Sequence, residues 1–283
     1  MNLLERLRSN KPLAAVELRP PRSGLPAAES IELWVDIHHS VRRLVERDTL
    51  VFFTDNAVGQ GEEQSLFHLD ANLGAQARRD RLVPFLTCKH PLDYCLRFAQ
   101  RTALQRYPAL VVLGGDRFDG RPRCVPHAYL LRQQLRAKVP GLVLGAWVNP
   151  HRDPVEQVEF LQRLDASADF FLTQIVSHYQ LEAVERFLEQ AEKSHLDLPG
   201  IFGVFFYRST RPETLQALGQ YFPVPQELLQ ADWAAGIRGE EICARTLRGL
   251  RSLGIHRVYL SNLGSRSTEA RLDRILKLAD WPA

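Results

Sequence analysis

Leu13-Ala14-Ala15-Val16-Glu17-Leu18-Arg19-Pro20-Pro21 is the first apolar run of the chain, and the way it ends decides between two folds. Short runs of this kind read as buried strands of a parallel sheet. A doubly wound sheet carries a glycine fingerprint after its first strand, so that a dinucleotide's phosphates can approach the backbone. Here the strand runs straight into Arg19-Pro20-Pro21, which favours a (β/α)8 barrel.

Seven further runs repeat the pattern, so the eight expected strands are 13–18, 49–54, 82–87, 109–113, 142–148, 169–175, 200–205 and 257–261. Between them, segments such as 31–47, 92–106, 155–164, 178–193 and 240–253 repeat apolar residues at threes and fours, as amphipathic helices do. Asp153-Pro154 reads as an N-cap followed by proline, and Gly254 as a C-cap. Eight such units in 283 residues have the dimensions of one (β/α)8 TIM barrel, class α/β, spanning 1–283 as a single domain. The Pro-rich patch Phe222-Pro223-Val224-Pro225 falls in an enlarged connection around 206–238.

Composition narrows the function classes. No apolar run reaches the roughly 18–20 residues of a membrane span. The start, Met1-Asn2-Leu3-Leu4-Glu5-Arg6, breaks where a signal peptide would stay apolar, so the expectation is a cytoplasmic chain with no membrane partner. A net charge of +3, with basic residues scattered among acids, argues against a nucleic-acid partner. Cys88, Cys95, Cys124 and Cys243 form no Cys-x-x-Cys pair, so neither zinc nor a disulfide framework is indicated. No His-x-His ends a strand and no strand carries a lysine, which disfavours metal-dependent hydrolysis and Schiff-base chemistry. No metal is expected, and a homo-oligomer is left open.

A barrel builds its site where strands end, so the polar residues there are the candidates. Glu17 sits inside an apolar strand, where burial raises a carboxyl's pKa toward what a general acid needs. A structural pairing with Arg19 explains the same residue equally well. Asp116, after Gly114-Gly115, is either a ligand-facing acid or an ordinary turn. Gln174 is either a hydrogen-bonding partner for a heterocycle or a satisfied barrel amide. His151 reads as an anion contact or a solvated loop residue. The segment 261–267 suits a phosphate at a helix N-terminus, or a helix capped by Ser265 or Ser267.

Six motifs in order give the chain a resemblance to the methylenetetrahydrofolate reductase family. Val16-Glu17-Leu18-Arg19-Pro20-Pro21 resembles its Phe-Glu-Phe-x-Pro-Pro opening, and Pro84-Phe85-Leu86-Thr87-Cys88 its Pro-His-Leu-Thr-Cys strand. Leu113-Gly114-Gly115-Asp116 is similar to Leu-Arg-Gly-Asp. The stretch 165–174, ending Leu172-Thr173-Gln174, is similar to Asp-Ala-Gly-Ala-x followed by Ile-Thr-Gln. Pro199-Gly200-Ile201 and Val258-Tyr259-Leu260-Ser261-Asn262 resemble the Pro-Gly-Ile and Phe-Tyr-Thr-Leu-Asn segments.

The resemblance implies reduction of 5,10-methylenetetrahydrofolate to 5-methyltetrahydrofolate by NADH or NADPH through FAD, in one-carbon metabolism that feeds methionine biosynthesis. It implies catalytic roles for Glu17, Asp116 and Gln174, with Glu17 protonating a folate nitrogen. It implies cofactor contacts at Thr54, Asp55, Thr87, Gly114, Gly115, Trp147, His151 and Arg163. Folate contacts would come from Gln174, Phe206, Tyr259, Asn262 and Arg266. Phe85 replaces a flavin-contacting histidine, Gly114 an arginine, Trp147 a tyrosine, Arg163 a lysine and Leu263 a tail-binding arginine. Those departures motivate two alternatives, a flavin-free hydride transfer and a folate-binding subunit that serves a partner enzyme.

Overall fold

In a computed structural model of the chain, residues 2–55, 78–115, 120–163 and 168–282 are described. Eight parallel strands close into a barrel in chain order, with β8 pairing back onto β1. They are β1 (Leu13–Leu18), β2 (Val51–Phe53), β3 (Leu82–Thr87), β4 (Leu110–Leu113), β5 (Leu144–Val148), β6 (Phe170–Val176), β7 (Gly200–Phe205) and β8 (Arg257–Ser261). The expected strands at 13–18, 82–87, 200–205 and 257–261 match residue for residue, and the others differ by one to two residues at an end.

Alternation along each strand divides the interior into two layers. Leu13 and Ala15 point into the barrel with Phe52, Val83, Phe85, Val111, Phe170, Ile201 and Tyr259. Val16 and Leu18 point outward and pack, with Phe53, Leu86, Val204 and Leu260, under the helices. The same period of two turns Glu17 inward, one step above Ala15.

The helices are α1 (Leu3–Arg8), α2 (Ala27–Glu46), α3 (Leu92–Leu104), α4 (Ala128–Lys138), α5 (Pro154–Gln162), α6 (Leu181–Lys193), α7 (Pro212–Gly219), α8 (Gln226–Ala234), α9 (Gly239–Ser252) and α10 (Thr268–Leu278). Helix α1 is not among the expected elements. Asn2 and Glu5 form a capping box on it, and Leu3 and Leu7 join Leu13 and Leu50 to close the end of the barrel away from the site. Asp153 accepts from the Glu156 amide at 2.9 Å with Pro154 behind it, and Gly254 adopts φ 78° after α9, both in line with their expected capping roles. Ser267 takes the N-cap place of α10 with φ 55° and no side-chain cap bond, so neither Ser265 nor Ser267 caps that helix.

The connection from β7 to β8 contains two extra helices, α7 and α8. Leu215, Phe222 and Leu229 dock on the barrel's interior cluster, so the insertion forms a roof over one side of its open end. Tyr179, just after β6, hydrogen-bonds Asp232 of α8, and Arg245 of α9 pairs with the same carboxylate at 3.2 Å. Among the described residues no helix is long and apolar enough to cross a membrane.

Candidate active site

Glu17, Thr54, Asp55, Thr87, Gly115, Trp147, Gln174, Tyr259 and Asn262 line one cavity of about 980 Å³ at the carboxyl ends of the strands. Asp116 lies outside the described residues. Gly114, His151, Arg163, Phe206 and Arg266 do not line the cavity.

Glu17 forms part of the floor. It keeps partial access to the cavity, yet protein replaces most of the water around it, and this desolvation raises its pKa from 4.5 to about 7. A hydrogen bond with Ser261 and the Arg19 charge oppose the rise without cancelling it. The carboxyl is therefore divided between its two protonation states at neutral pH, as a proton donor and acceptor requires.

Aromatic rings wall the floor. Phe85 stands edge-on to Trp147 at 6.0 Å between centroids, and Trp147 lies 6.2 Å from Tyr259. The Tyr259 hydroxyl donates to the Thr173 carbonyl at 2.7 Å, and burial beside Glu17 holds the phenol protonated. Its ring rests on Gly203, where a Cβ would collide with it. Thr173 also closes an irregularity between β6 and β7: its hydroxyl accepts from the Gly203 amide at 3.0 Å and donates to the Gln174 carbonyl at 2.8 Å. Gln174 follows Phe170 and Leu172 on the inner face by alternation, and the register shift brings Ile175 to the cavity beside it.

Several expected contacts have their polar atoms committed elsewhere. One Asp55 oxygen accepts from the Thr87 amide at 2.8 Å and the Thr87 hydroxyl at 3.1 Å, and His90 Nε2 sits 2.9 Å from it. His151 Nε2 meets the Ile175 carbonyl at 2.9 Å, and burial lowers the ring's pKa, so it ties the end of β5 to β6. Arg163 stacks over Tyr129 at 4.3 Å outside the barrel. Arg266 pairs with Asp36 of α2 at 2.6 Å. The Asn262 amide donates to the Phe206 carbonyl at 3.0 Å. Phe206 itself points outward under Gly239 of α9, and of these two neighbours it is Phe205 that lines the cavity. The glycines after β4 are packed against side chains: a Cβ at Gly115, whose φ is 76°, would meet Lys89, and one at Gly114 would meet Arg123.

Arg19, Arg22 and Arg208 stand around the mouth, with Leu218, Tyr221 and Phe222 of the roof facing them. Arg208 Nε donates to the Asn262 carbonyl at 3.0 Å, and among the described residues it makes no ion pair. Burial and the nearby Arg271 charge lower its pKa. Phe205 is absent from the expected site, and Arg208 and Ser261, which stand at the ends of the seventh and eighth strands, are given no folate contact there. Alternation would have found two of them, because Phe205 shares its face with Ile201 and Gly203, and Ser261 shares its face with Tyr259. The roof carries no short-range signal, since its place depends on docking.

No protein-family model matches the chain, and no curated protein matches it in sequence. Among solved structures, an uncharacterised protein from Clostridium thermocellum that binds two copies of 5-methyl-5,6,7,8-tetrahydrofolic acid is similar in fold. The TM-score is 0.70 at 17% identity, over 98% of each chain.

Proposed function

We propose that the cavity binds a reduced folate and that Glu17 donates a proton to it during reduction of 5,10-methylenetetrahydrofolate. The observation that carries this reading is a desolvated carboxyl, its pKa raised toward 7, on a floor walled by Phe85, Trp147 and Tyr259, beneath a mouth edged by arginines. A reduced folate has the complementary parts: a flat ring system with basic nitrogens at one end and carboxylates at the other. The ring would lie against the aromatic wall with a nitrogen toward Glu17, and the carboxylates would reach Arg208. That a barrel of the same fold binds 5-methyltetrahydrofolate adds support.

In this reading the Glu17 proton goes to one of the two nitrogens that share the methylene carbon. That carbon–nitrogen bond breaks, leaving an iminium on the other nitrogen, and a hydride completes the methyl group. A reduced nicotinamide supplies the hydride. Gln174 orients the ring, and the Tyr259 phenol keeps the floor dry. Asp116 keeps in this reading the catalytic role that the resemblance implies for it.

Three residues near the implied flavin places are turned to other partners. Arg123 donates to the Gly115 carbonyl at 2.7 Å, Arg163 stacks on Tyr129 and His151 is held by Ile175, so none of the three faces the cavity as a phosphate partner. No step is therefore routed through FAD. The same observation favours a second reading, a folate-binding barrel that serves a partner enzyme without reducing its ligand.

Titration with 5-methyltetrahydrofolate, followed by methylenetetrahydrofolate-dependent oxidation of NADH and NADPH, separates the readings. Binding with turnover supports the reductase. Binding without turnover on either nicotinamide supports the second reading, and absence of folate binding sinks both.

A further inference from the structure

Three of the four cysteines gather on the outer side of β3 and β4, behind the cavity wall. Cys88 follows β3, Cys95 lies in the first turns of α3, and Cys124 precedes α4. The Cys124 amide donates to the Cys88 carbonyl at 2.7 Å, which lays the segment ahead of α4 along the end of β3. The Cys95 thiol lies 3.8 Å from both the Thr87 and His90 carbonyls, and of the two neighbouring thiols Cys124 acts on it more strongly than Cys88. Cys88 and Cys95 are buried, whereas Cys124 is half-buried and reached by solvent.

We propose that Cys95 and Cys124 are a redox-active pair that closes to a disulfide when a hydroperoxide oxidises Cys124. The cluster is not arranged for a metal: among the described residues no group of three or more His, Cys, Asp or Glu side chains is placed to hold one. Two neighbouring thiols held at the end of β3 by different elements, one open to solvent and one buried, have the layout of an attacking and a resolving thiol.

The chemistry balances in two steps. The Cys124 thiolate attacks one peroxide oxygen, the O–O bond breaks, and the departing hydroxide takes a proton from solvent, leaving a sulfenic acid and water. The Cys95 sulfur then attacks the sulfenic sulfur. An S–S bond forms as the S–O bond breaks, and the Cys95 proton leaves with that oxygen as a second water. Two thiols lose two electrons and two protons, and one hydrogen peroxide becomes two waters. Burial pushes the Cys88 thiol up to about 12 and the Cys95 thiol higher still, which makes both poor first nucleophiles and sets the order of the steps. The bridge would fasten α3 to the segment whose Arg121 carbonyl accepts from Lys89 and whose Arg123 holds the Gly115 carbonyl. It would therefore stiffen the β4 side of the cavity, whatever ligand the cavity takes.

The test uses the folded full-length protein treated with hydrogen peroxide, then alkylated and digested with trypsin without reduction. Lys89, Arg97 and Arg123 place Cys88, Cys95 and Cys124 on separate peptides. The expected result is loss of two of the four thiols, a linked 95–124 peptide pair, and recovery of both thiols with a reductant. In Cys95→Ser, dimedone should label Cys124 and no bridge should form. Cys124→Ala, at the half-buried position, should leave the remaining thiols unoxidised and serves if Cys95→Ser does not fold. A bridge from Cys88 to Cys124, or irreversible oxidation of Cys124 with no bridge in the unmutated chain, would overturn the proposal.

Discussion

The Gln174 side chain fastens the roof to the barrel: its Nε2 donates to the Tyr221 carbonyl at 3.2 Å while its Oε1 accepts from the Ile175 amide at 2.9 Å. A ligand that needs this amide must take it from Tyr221, so occupancy of the floor and the position of the roof are linked. Replacing Gln174 with Leu removes the tie and leaves a carbonyl and an amide to water, a loss of about 1 kcal/mol. Hydrogen exchange across 212–234 should speed up in that variant while the strands keep their protection. Unchanged exchange there would show that docking alone holds the roof.

Glu17→Gln keeps the shape of the side chain and removes its transferable proton. On the reductase reading, folate binding survives and turnover falls by about two orders of magnitude or more, the range general acid catalysis supplies. Steady-state rates set beside a binding titration decide it. Wild-type turnover in the variant would remove Glu17 from the chemistry.

The elevated carboxyl pKa has a stability consequence with a definite sign. The folded chain holds the Glu17 proton up to about pH 7, whereas an unfolded chain releases it near 4.5. This contribution to stability is whole below about 4.5 and is lost as the pH rises through 7. Relative to Glu17→Gln, the unmutated protein should lose on the order of 2 kcal/mol between pH 4.5 and 7.5. Urea unfolding of both proteins across that range is the measurement, and parallel profiles would contradict it.

Gly203 lies under the Tyr259 ring, and no side chain fits between them. Gly203→Ala should cost about 1–3 kcal/mol through overpacking and push the phenol toward the cavity. Thermal unfolding reads the first effect and folate affinity the second. A variant as stable as the parent would mean that β7 and β8 adjust more freely than their packing implies.

Arg208→Ala should weaken binding of a ligand with terminal carboxylates by about 10- to 100-fold, the worth of a charge-assisted pair, and leave a pterin without that tail unaffected. Equal losses for both ligands would place the effect on the fold of the mouth.

Much of the architecture was legible because strand alternation and helical periodicity are local. β1 shows this best: 13–18 is bounded by Pro20-Pro21 on one side, and alternation alone sends Glu17 inward. Phe206 was drawn to the site by resemblance, although alternation from Ile201 and Gly203 already puts its neighbour Phe205 on the inner face. Arg266 and Arg163 were drawn toward the site by resemblance, yet one pairs with Asp36 and the other stacks on Tyr129, partners far from each in sequence. α1 escapes a sequence reading because a six-residue helix is too short to display a period.

Of the four tryptophans, Trp147 faces the cavity, whereas Trp34, Trp233 and Trp281 do not line it. The molecule thus carries its own optical reporter. A reduced pterin seated against Trp147 would quench that indole's emission by contact or energy transfer, and Trp147→Phe would silence the signal while keeping an aromatic wall. Occupancy can then be followed in real time and without a chemical step, so arrival of the ligand is observable separately from any reaction it undergoes.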